Sequence, residues 1–466
     1  MLTPASFANL EIIGVIAFVV PLLMDVLHIR LLPLVVVEIL VGVLVGPSVL
    51  HFVRADMVVQ IFSSLGLAFL LFLAGMEVNI KQLRGPLLAL AGVSFLLTFF
   101  FSLLVAILLH QIGLVINPLF IAIVLTSSAV GVIMPAIKAT GLANTPYGQV
   151  VIMGATLGEF GSILLFSAFF TTIQISQLWH LVLLVIFAVA AITLYAVVLH
   201  AERSRRITAL LVRLQDSTAQ VRIRGAWVFL AAFVVLAQAL GQTMILGAFV
   251  AGMLLRIIDP DESTRHAEFR TKLDAVGYGV FIPIFFIATG VQLNLAALVA
   301  SSRALLLVPV ILLALLAIHV LAMLLSTGLT QRTGSAPSAQ ATHSRRQARQ
   351  PLTLRSTLSA GIFQATSLTF ILAVAQIGVA EGIVLPATSA ALTTVGMLTV
   401  LCFPVLALLL VQYERQPVGT GSVLANVEPV AVAEVEATLG PETPTPATLT
   451  APATETPPTS DIPAAT

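Results

Sequence analysis

Apolar residues run in blocks of about twenty from residue 7 to about residue 412, broken by proline, glycine and isolated charges. Cutting the blocks at that punctuation predicts membrane-crossing helices near 7–28, 31–50, 57–78, 86–111, 117–137, 147–172 and 178–200. After a basic connector, six more follow near 226–241, 244–258, 275–294, 304–329, 355–379 and 384–412. A transmembrane barrel would show short alternating segments instead. Helices satisfy their own backbone groups in lipid, so the expected fold is an all-α membrane protein of about thirteen spans.

Composition excludes the alternative of two or three soluble domains. Of 466 residues, 59% are hydrophobic and only 9% are charged, and the mean hydropathy is +1.08. A net charge of +1 with no persistent basic patch outside the loops leaves no footprint for nucleic acid. The single cysteine, Cys402, allows no intramolecular disulfide. Residues 1–29 contain no Lys or Arg, so no cleaved signal peptide is predicted.

The charge distribution tests the number of spans independently of hydropathy. With thirteen spans, all 22 Lys and Arg residues except Arg54 and Arg303 fall on one side of the membrane. One span missed or invented in the middle would scramble that division. The expected topology therefore has the N-terminus outside and the C-terminus cytoplasmic, in a multi-pass protein of the cell membrane. Residues 331–350 read as a basic, flexible cytoplasmic loop. Residues 416–466 read as a disordered, cytoplasmic Pro/Thr/Ala-rich tail, leaving 1–415 as the transmembrane domain.

Two spans carry polar clusters where a helix is expected to break. In the fifth, Thr126, Ser127 and Ser128 precede Gly131 and Pro135; in the twelfth, Gln364, Ala365, Thr366 and Ser367 follow Gly361. Interrupted helices near the midplane expose carbonyls and half-helix ends that can replace an ion's hydration shell. The alternative is that the hydroxyls bond to the preceding turn of intact helices. Seven spans separate the two clusters, an odd number that reverses orientation, as an inverted repeat requires.

Few acids lie inside the spans, and each costs about 2.5–3.5 kcal/mol on insertion scales, so each calls for an explanation. Glu159 lies near the middle of the sixth span among Gly154, Gly158, Gly161 and Ser162, small neighbours that admit another helix or an ion pathway. Such a carboxylate can alternate between a proton and a cation; the competing reading is a structural hydrogen bond between helices. Glu38, near Gly42 and Gly46, reads as a structural acid. Glu11, Asp25 and Glu77 fall near span ends and can reach interfacial water. His319, alone in an apolar eleventh span, is either a proton-sensitive partner of Glu159 or a neutral ring packed against a carbonyl. No metal-ligand cluster, P-loop or G-x-S-x-G elbow occurs, so neither an enzymatic site nor a cofactor is expected.

Four ordered segments carry a family resemblance: LPLVVVEILVGVLVGPSVL at 32–50, LGLAFLLFLAGMEVNIKQLR at 65–84, ILGAFVAGMLL at 245–255 and GYGVFIPIFFIATGVQLNL at 277–295. Over roughly residues 10–410 the chain resembles the monovalent cation:proton antiporters, especially the second branch with its Kef-type and sodium/proton exchangers. The resemblance implies a homodimer, each chain having a dimerisation domain and a core domain with two crossed, interrupted helices that carries the ion like an elevator. It puts TSSAVGVIMP and FQATSLTF at the two breaks and Glu159 at the ion-binding carboxylate, usually Asp in relatives. The preceding position, often Asp, Asn or Gln, is Gly158 here, which favours electroneutral exchange. His319 falls where relatives commonly carry Lys or Arg, which makes it a pH-dependent partner.

The function so implied is antiport of Na+ or K+ against H+ at Glu159, with help from Thr126, Ser127 or Ser128. Gln364, Thr366 and Ser367 are expected to contribute contacts at the second break. The rivals are a gated K+ efflux pathway, which needs no countermoving proton, and a non-transporting sensor or scaffold on a degenerate antiporter fold. The nucleotide-binding domain of Kef-type proteins has no counterpart signature in this sequence.

Overall fold

The computed structural model describes residues 4–28, 32–78, 86–170, 177–203, 221–258, 264–332 and 353–415. The tail expected from 416 onward and nearly all of the basic loop expected at 331–350 lie outside them. The described residues are all-helical apart from connecting turns. Ten helical segments are long and apolar enough to cross a membrane, and three shorter apolar helices, Leu34–Val45, Val182–Ala196 and Met244–Ile257, complete the thirteen expected positions.

Two helical bundles organise the chain. The first is built from α1 (Pro4–Val26), α2 (Leu34–Val45), α3 (Met57–Glu77), α9 (Val221–Ala239), α10 (Met244–Ile258), α11 (Thr264–Val276) and α12 (Ile282–Gln292). The second contains α4 (Pro86–Gln111), α5 (Pro118–Thr126), α6 (Val130–Ala139), α7 (Pro146–Phe169), α14 (Ser302–Arg332), α15 (Leu354–Gln364), α16 (Thr369–Ala380) and α17 (Pro386–Arg415). Helix α8 (Gln177–Arg203) touches both bundles, and the short α13 (Leu295–Ala300) packs on α14 and α17.

Glycine sets how closely the first bundle packs. Helices in lipid gain little from the hydrophobic effect and associate through van der Waals contact, so close backbone approach matters. A Cβ at Gly252 on α10 would come 1.9 Å from the Phe72 carbonyl on α3, and one at Gly75 on α3 would come 2.2 Å from the Phe249 carbonyl on α10. Each helix thus receives its neighbour's backbone at a position without a side chain.

The fifth and twelfth spans are interrupted, as the hydroxyl clusters suggested. Asn117 caps α5 by accepting from Phe120 N–H at 3.1 Å, with Pro118 next in the chain. The helix ends at Thr126, and Ser127 and Ala129 are extended before α6 begins. Thr353 caps α15, which stops at Gln364, and residues 365–368 bridge to α16. The half-helices that follow the breaks, α6 and α16, end alike: Gly141 and Gly382 come after them with φ of +68° and +69°, left-handed geometry that glycine adopts without strain.

Two helices escaped the hydropathy reading. Most of residues 264–276 fall in the connector expected between the spans near 244–258 and 275–294, but they form α11, which continues through a π turn at Gly277–Phe281 into α12. Its sequence TRHAEFRTKLDAV is polar, and Arg270 pairs with Asp274 at 3.8 Å, one turn along. The second is α13, six residues capped by Asn294 through Ala297 N–H at 2.8 Å, too short for periodicity to register.

Candidate functional site

The two interruptions cross and lock together. Ala129 N–H donates to the Thr366 carbonyl at 2.8 Å, and the hydroxyls of Ser127 and Ser367 lie 2.6 Å apart. Thr399 on α17 braces the second break: its Oγ1 accepts from Ser367 N–H at 3.2 Å and lies 2.9 Å from the Ser367 carbonyl. Ser127 Oγ also lies 2.7 Å from the Val124 carbonyl, so part of its bonding capacity holds the end of α5. Backbone groups freed by breaking the helices therefore find partners across the crossing, as burial demands.

Glu159, fully buried on α7, reaches this crossing. Its Oε2 accepts from Val130 N–H at 2.8 Å, and its Oε1 accepts from Thr369 Oγ1 at 3.1 Å. Val130 opens α6 and Thr369 opens α16, so the carboxylate spans the amino ends of both half-helices that follow the breaks. Each amino end carries roughly half a positive charge, and such a site favours an anion by about 0.3–2 kcal/mol. Both contacts donate to the carboxyl oxygens and so favour the ionised form, which a cation can neutralise.

Two glycines on the same face of α7 make room for the breaks. A Cβ at Gly158 would lie 2.8 Å from Ser128 Cβ, and one at Gly154 would lie 2.1 Å from Gln364 Nε2. On α6, Pro135 has no N–H to give the Gly131 carbonyl, leaving polar backbone just inside the first break.

The other expected residues distribute around this centre. Thr126 donates to the Ala122 carbonyl at 2.7 Å, while Ser128 Oγ and Thr366 Oγ1 are buried with no hydrogen-bond partner among the described residues. His319 Nδ1 contacts the Leu315 carbonyl at 2.9 Å. Its Nε2 has no hydrogen-bond partner among the described residues, and the residue lines a small cavity together with Thr126 and Gln364. The ring thus adjoins the end of α5, and its described contacts do not include Glu159. Glu38, on α2 in the first bundle, is 2% exposed, and its Oε1 has no partner among the described residues. Glu11 and Asp25 are exposed on α1.

Sequence reasoning missed three contributors. Thr369 sits within FQATSLTF, yet one threonine among several hydroxyls gave no reason to prefer it. Thr399 lies in an otherwise apolar stretch with no sequence signal of its own. Glu77, expected merely to reach the interface, pairs with Arg270 at 3.8 Å and turns its buried Oε2 toward α6, 3.8 Å from where a Gly131 Cβ would stand. Hydropathy could not reveal this, because the partner Arg270 lies on the helix that hydropathy missed.

Comparison with known proteins agrees with this architecture. A putative Na+/H+ antiporter, YjbQ, of Bacillus subtilis (strain 168) is 29% identical over 326 residues, covering 67% of this chain and 51% of that protein. The chain thus spans about half the length of that relative. An Na+/H+ antiporter of Enterococcus hirae is 26% identical over 286 residues, covering 56% of this chain and 67% of the relative. The solved structure of the sodium proton antiporter MjNhaP1 from Methanocaldococcus jannaschii at pH 8 superposes with a TM-score of 0.52 at 14% identity. The match covers 88% of this chain and 97% of that one, a likeness of fold. The profile of the family described as "Sodium/hydrogen exchanger, transmembrane" matches residues 14–408, and the chain belongs to this family of membrane transporters.

Proposed function

We propose that this protein exchanges Na+ or K+ for H+ at Glu159 as a secondary antiporter. The observation that carries the reading is the position of that one carboxylate, fully buried and held between the amino ends of α6 and α16. Proton and cation compete for the same oxygens, so loading one releases the other. A bound cation takes the carboxylate as its charged ligand. Thr126, Ser127 and Ser128, together with Gln364, Thr366 and Ser367, supply neutral oxygens around the two breaks. His319, with Nε2 uncommitted, serves as a proton-sensitive neighbour of the first break.

One carboxylate at the crossing implies one cation per proton and electroneutral exchange. Gly158 brings no second acid, and Glu77 is paired with Arg270. Ionised and empty, Glu159 is costly to move past a hydrophobic barrier; protonated or cation-loaded, it is neutral and moves. An elevator-type movement of the second bundle against the first follows, with the protein assembled as a homodimer in the cell membrane. In this reading residues 1–415 are the transport domain of the second branch of the family. The N-terminus is outside and the residues from 416 onward are cytoplasmic.

The test is reconstitution into proteoliposomes containing a pH dye, with pulses of Na+, K+ and Li+ at zero and imposed voltage. Cation-driven proton movement independent of voltage is the expected result, lost in Glu159→Gln. Undiminished exchange in that variant, or cation flux without a countermoving proton, overturns the proposal.

A further inference from the structure

Side chains join the two bundles along α7 and α10. Phe160 on α7 stacks on Phe249 on α10, with ring centroids 5.7 Å apart and planes 17° from parallel. Farther along α7, Ser167 Oγ lies 2.8 Å from the hydroxyl of Thr243, the residue before α10. The first bundle grips α10 more closely. A Cβ at Gly247 would come 2.6 Å from the Phe233 carbonyl on α9, in addition to the approach of Gly252 to α3. If the bundles move against each other, the side-chain seam is therefore the contact that yields, and the turn between α9 and α10 stays with the first bundle.

That turn holds a residue out of character with its place. After α9, Gly241 has φ of +70° and donates its N–H to the Gln238 carbonyl at 3.0 Å, while Gln242 N–H reaches back to the Ala237 carbonyl at 2.8 Å. This is a glycine cap in which the side chain after the glycine packs back on the helix and is commonly apolar. Here it is a primary amide. Gln242 is 0% exposed, and both its Nε2 and its Oε1 are buried without a hydrogen-bond partner among the described residues. An amide with neither end satisfied weighs against the arrangement that buries it so.

Partners of the right chemistry lie beside it. Helix α7 ends at Phe169, so the carbonyls of Ser167, Ala168 and Phe169 have no donor within the helix. Thr243, next to Gln242 in the chain, already touches this last turn through Ser167. We propose that Gln242 is a positioning residue of the transport stroke. Its amide is unpaired in the arrangement described and donates to the carboxy end of α7 once the second bundle shifts, which biases the protein toward that other arrangement. The inference rests on the bundle movement proposed above, but not on which ions are exchanged.

The test reads the seam directly. In the full chain carrying Cys402→Ser, Ser167→Cys and Thr243→Cys, the rate of copper-phenanthroline-catalysed disulfide formation reports how often the described arrangement is visited. Adding Gln242→Leu, similar in size but without the amide, is expected to speed that reaction at least about twofold. In the chain without the other three substitutions, Gln242→Leu should lower maximal turnover by about tenfold, with the cation KM near its original value and the thermal midpoint no lower. Gln242→Asn keeps an amide and should fall between. Unchanged crosslinking overturns the inference, as does unchanged turnover in a protein that exchanges ions. A Gln242→Leu chain that unfolds earlier or fails to fold also overturns it, because losing an unsatisfied amide should not cost stability. So does a Gln242→Asn result equal to that of Gln242→Leu, which would assign the effect to packing, or a seam that forms no disulfide in any variant. Faster crosslinking in Gln242→Leu of a protein that shows no exchange would overturn the antiport reading and leave this one standing.

Discussion

Thr369 and Glu159, 210 residues apart, meet through a hydrogen bond of 3.1 Å in which the threonine hydroxyl donates to the carboxylate. That bond ties the first residue of α16 to the middle of α7. A hydrogen bond to an ionised group is worth about 1.5–3 kcal/mol, and removing it favours the protonated form of the acid. Thr369→Val is therefore expected to move the half-maximal point of the pH–activity profile toward alkaline pH by about one unit. Thr369→Ser should restore it. Dye-reported exchange across a pH series makes the measurement.

Proton and cation competing for one carboxylate gives a definite pH dependence. Where the acid is mostly protonated, each unit of acidification should raise the apparent KM for the cation about tenfold, with the maximal rate little changed. The sign follows because a protonated carboxyl must release its proton before a cation can enter. A KM independent of pH would show that the two ions do not share the site.

The two glycines facing the breaks should differ in tolerance. At position 154 the first obstacle is the far end of the Gln364 side chain, which can rotate away; at 158 it is Ser128 Cβ, anchored to the break itself. Gly158→Ala is expected to cost about 1–3 kcal/mol through overpacking, and Gly154→Ala distinctly less. Thermal midpoints of the purified variants give the comparison, and exchange rates should fall in the same order.

On the first bundle, Gly252→Ala drives a Cβ against the Phe72 carbonyl, where only backbone can yield. This variant should lower the midpoint at least as much as Gly158→Ala, although it lies in the other bundle from Glu159. A neutral outcome would mean that α3 and α10 are free to separate.

Gln376 on α16 donates to Thr289 on α12 at 2.7 Å, a side-chain hydrogen bond joining the two bundles. If the bundles slide during transport, this bond must break in each cycle. Gln376→Leu should then change the turnover rate by several-fold while the cation KM stays near its original value. A fixed arrangement of the bundles would leave turnover unchanged.

Much of this architecture was legible because its signals are local. Twenty-residue apolar blocks, prolines after Asn117, Thr145 and Leu385, and hydroxyl clusters at 126–128 and 366–367 act through the backbone of their own segment. They marked the spans and both breaks without reference to any neighbour. Helix α11 stayed hidden because a polar helix leaves no hydropathy trace. The partnership of Glu77 with Arg270 stayed hidden with it.

The sequence by itself determined that thirteen apolar helical segments would form, that two would be interrupted, and that a lone acid would lie among small residues on a third. Each of these follows from the solvation of a single stretch of chain in lipid. Only the tertiary structure decided which helix ends face which groups. Pairing Val130 and Thr369 with Glu159, and turning Thr126 and Gln364 toward the cavity beside His319, depends on helices that lie far apart in sequence crossing at one point. The sign of the field at each side of that crossing belongs to the packed helices together, and no single segment specifies it.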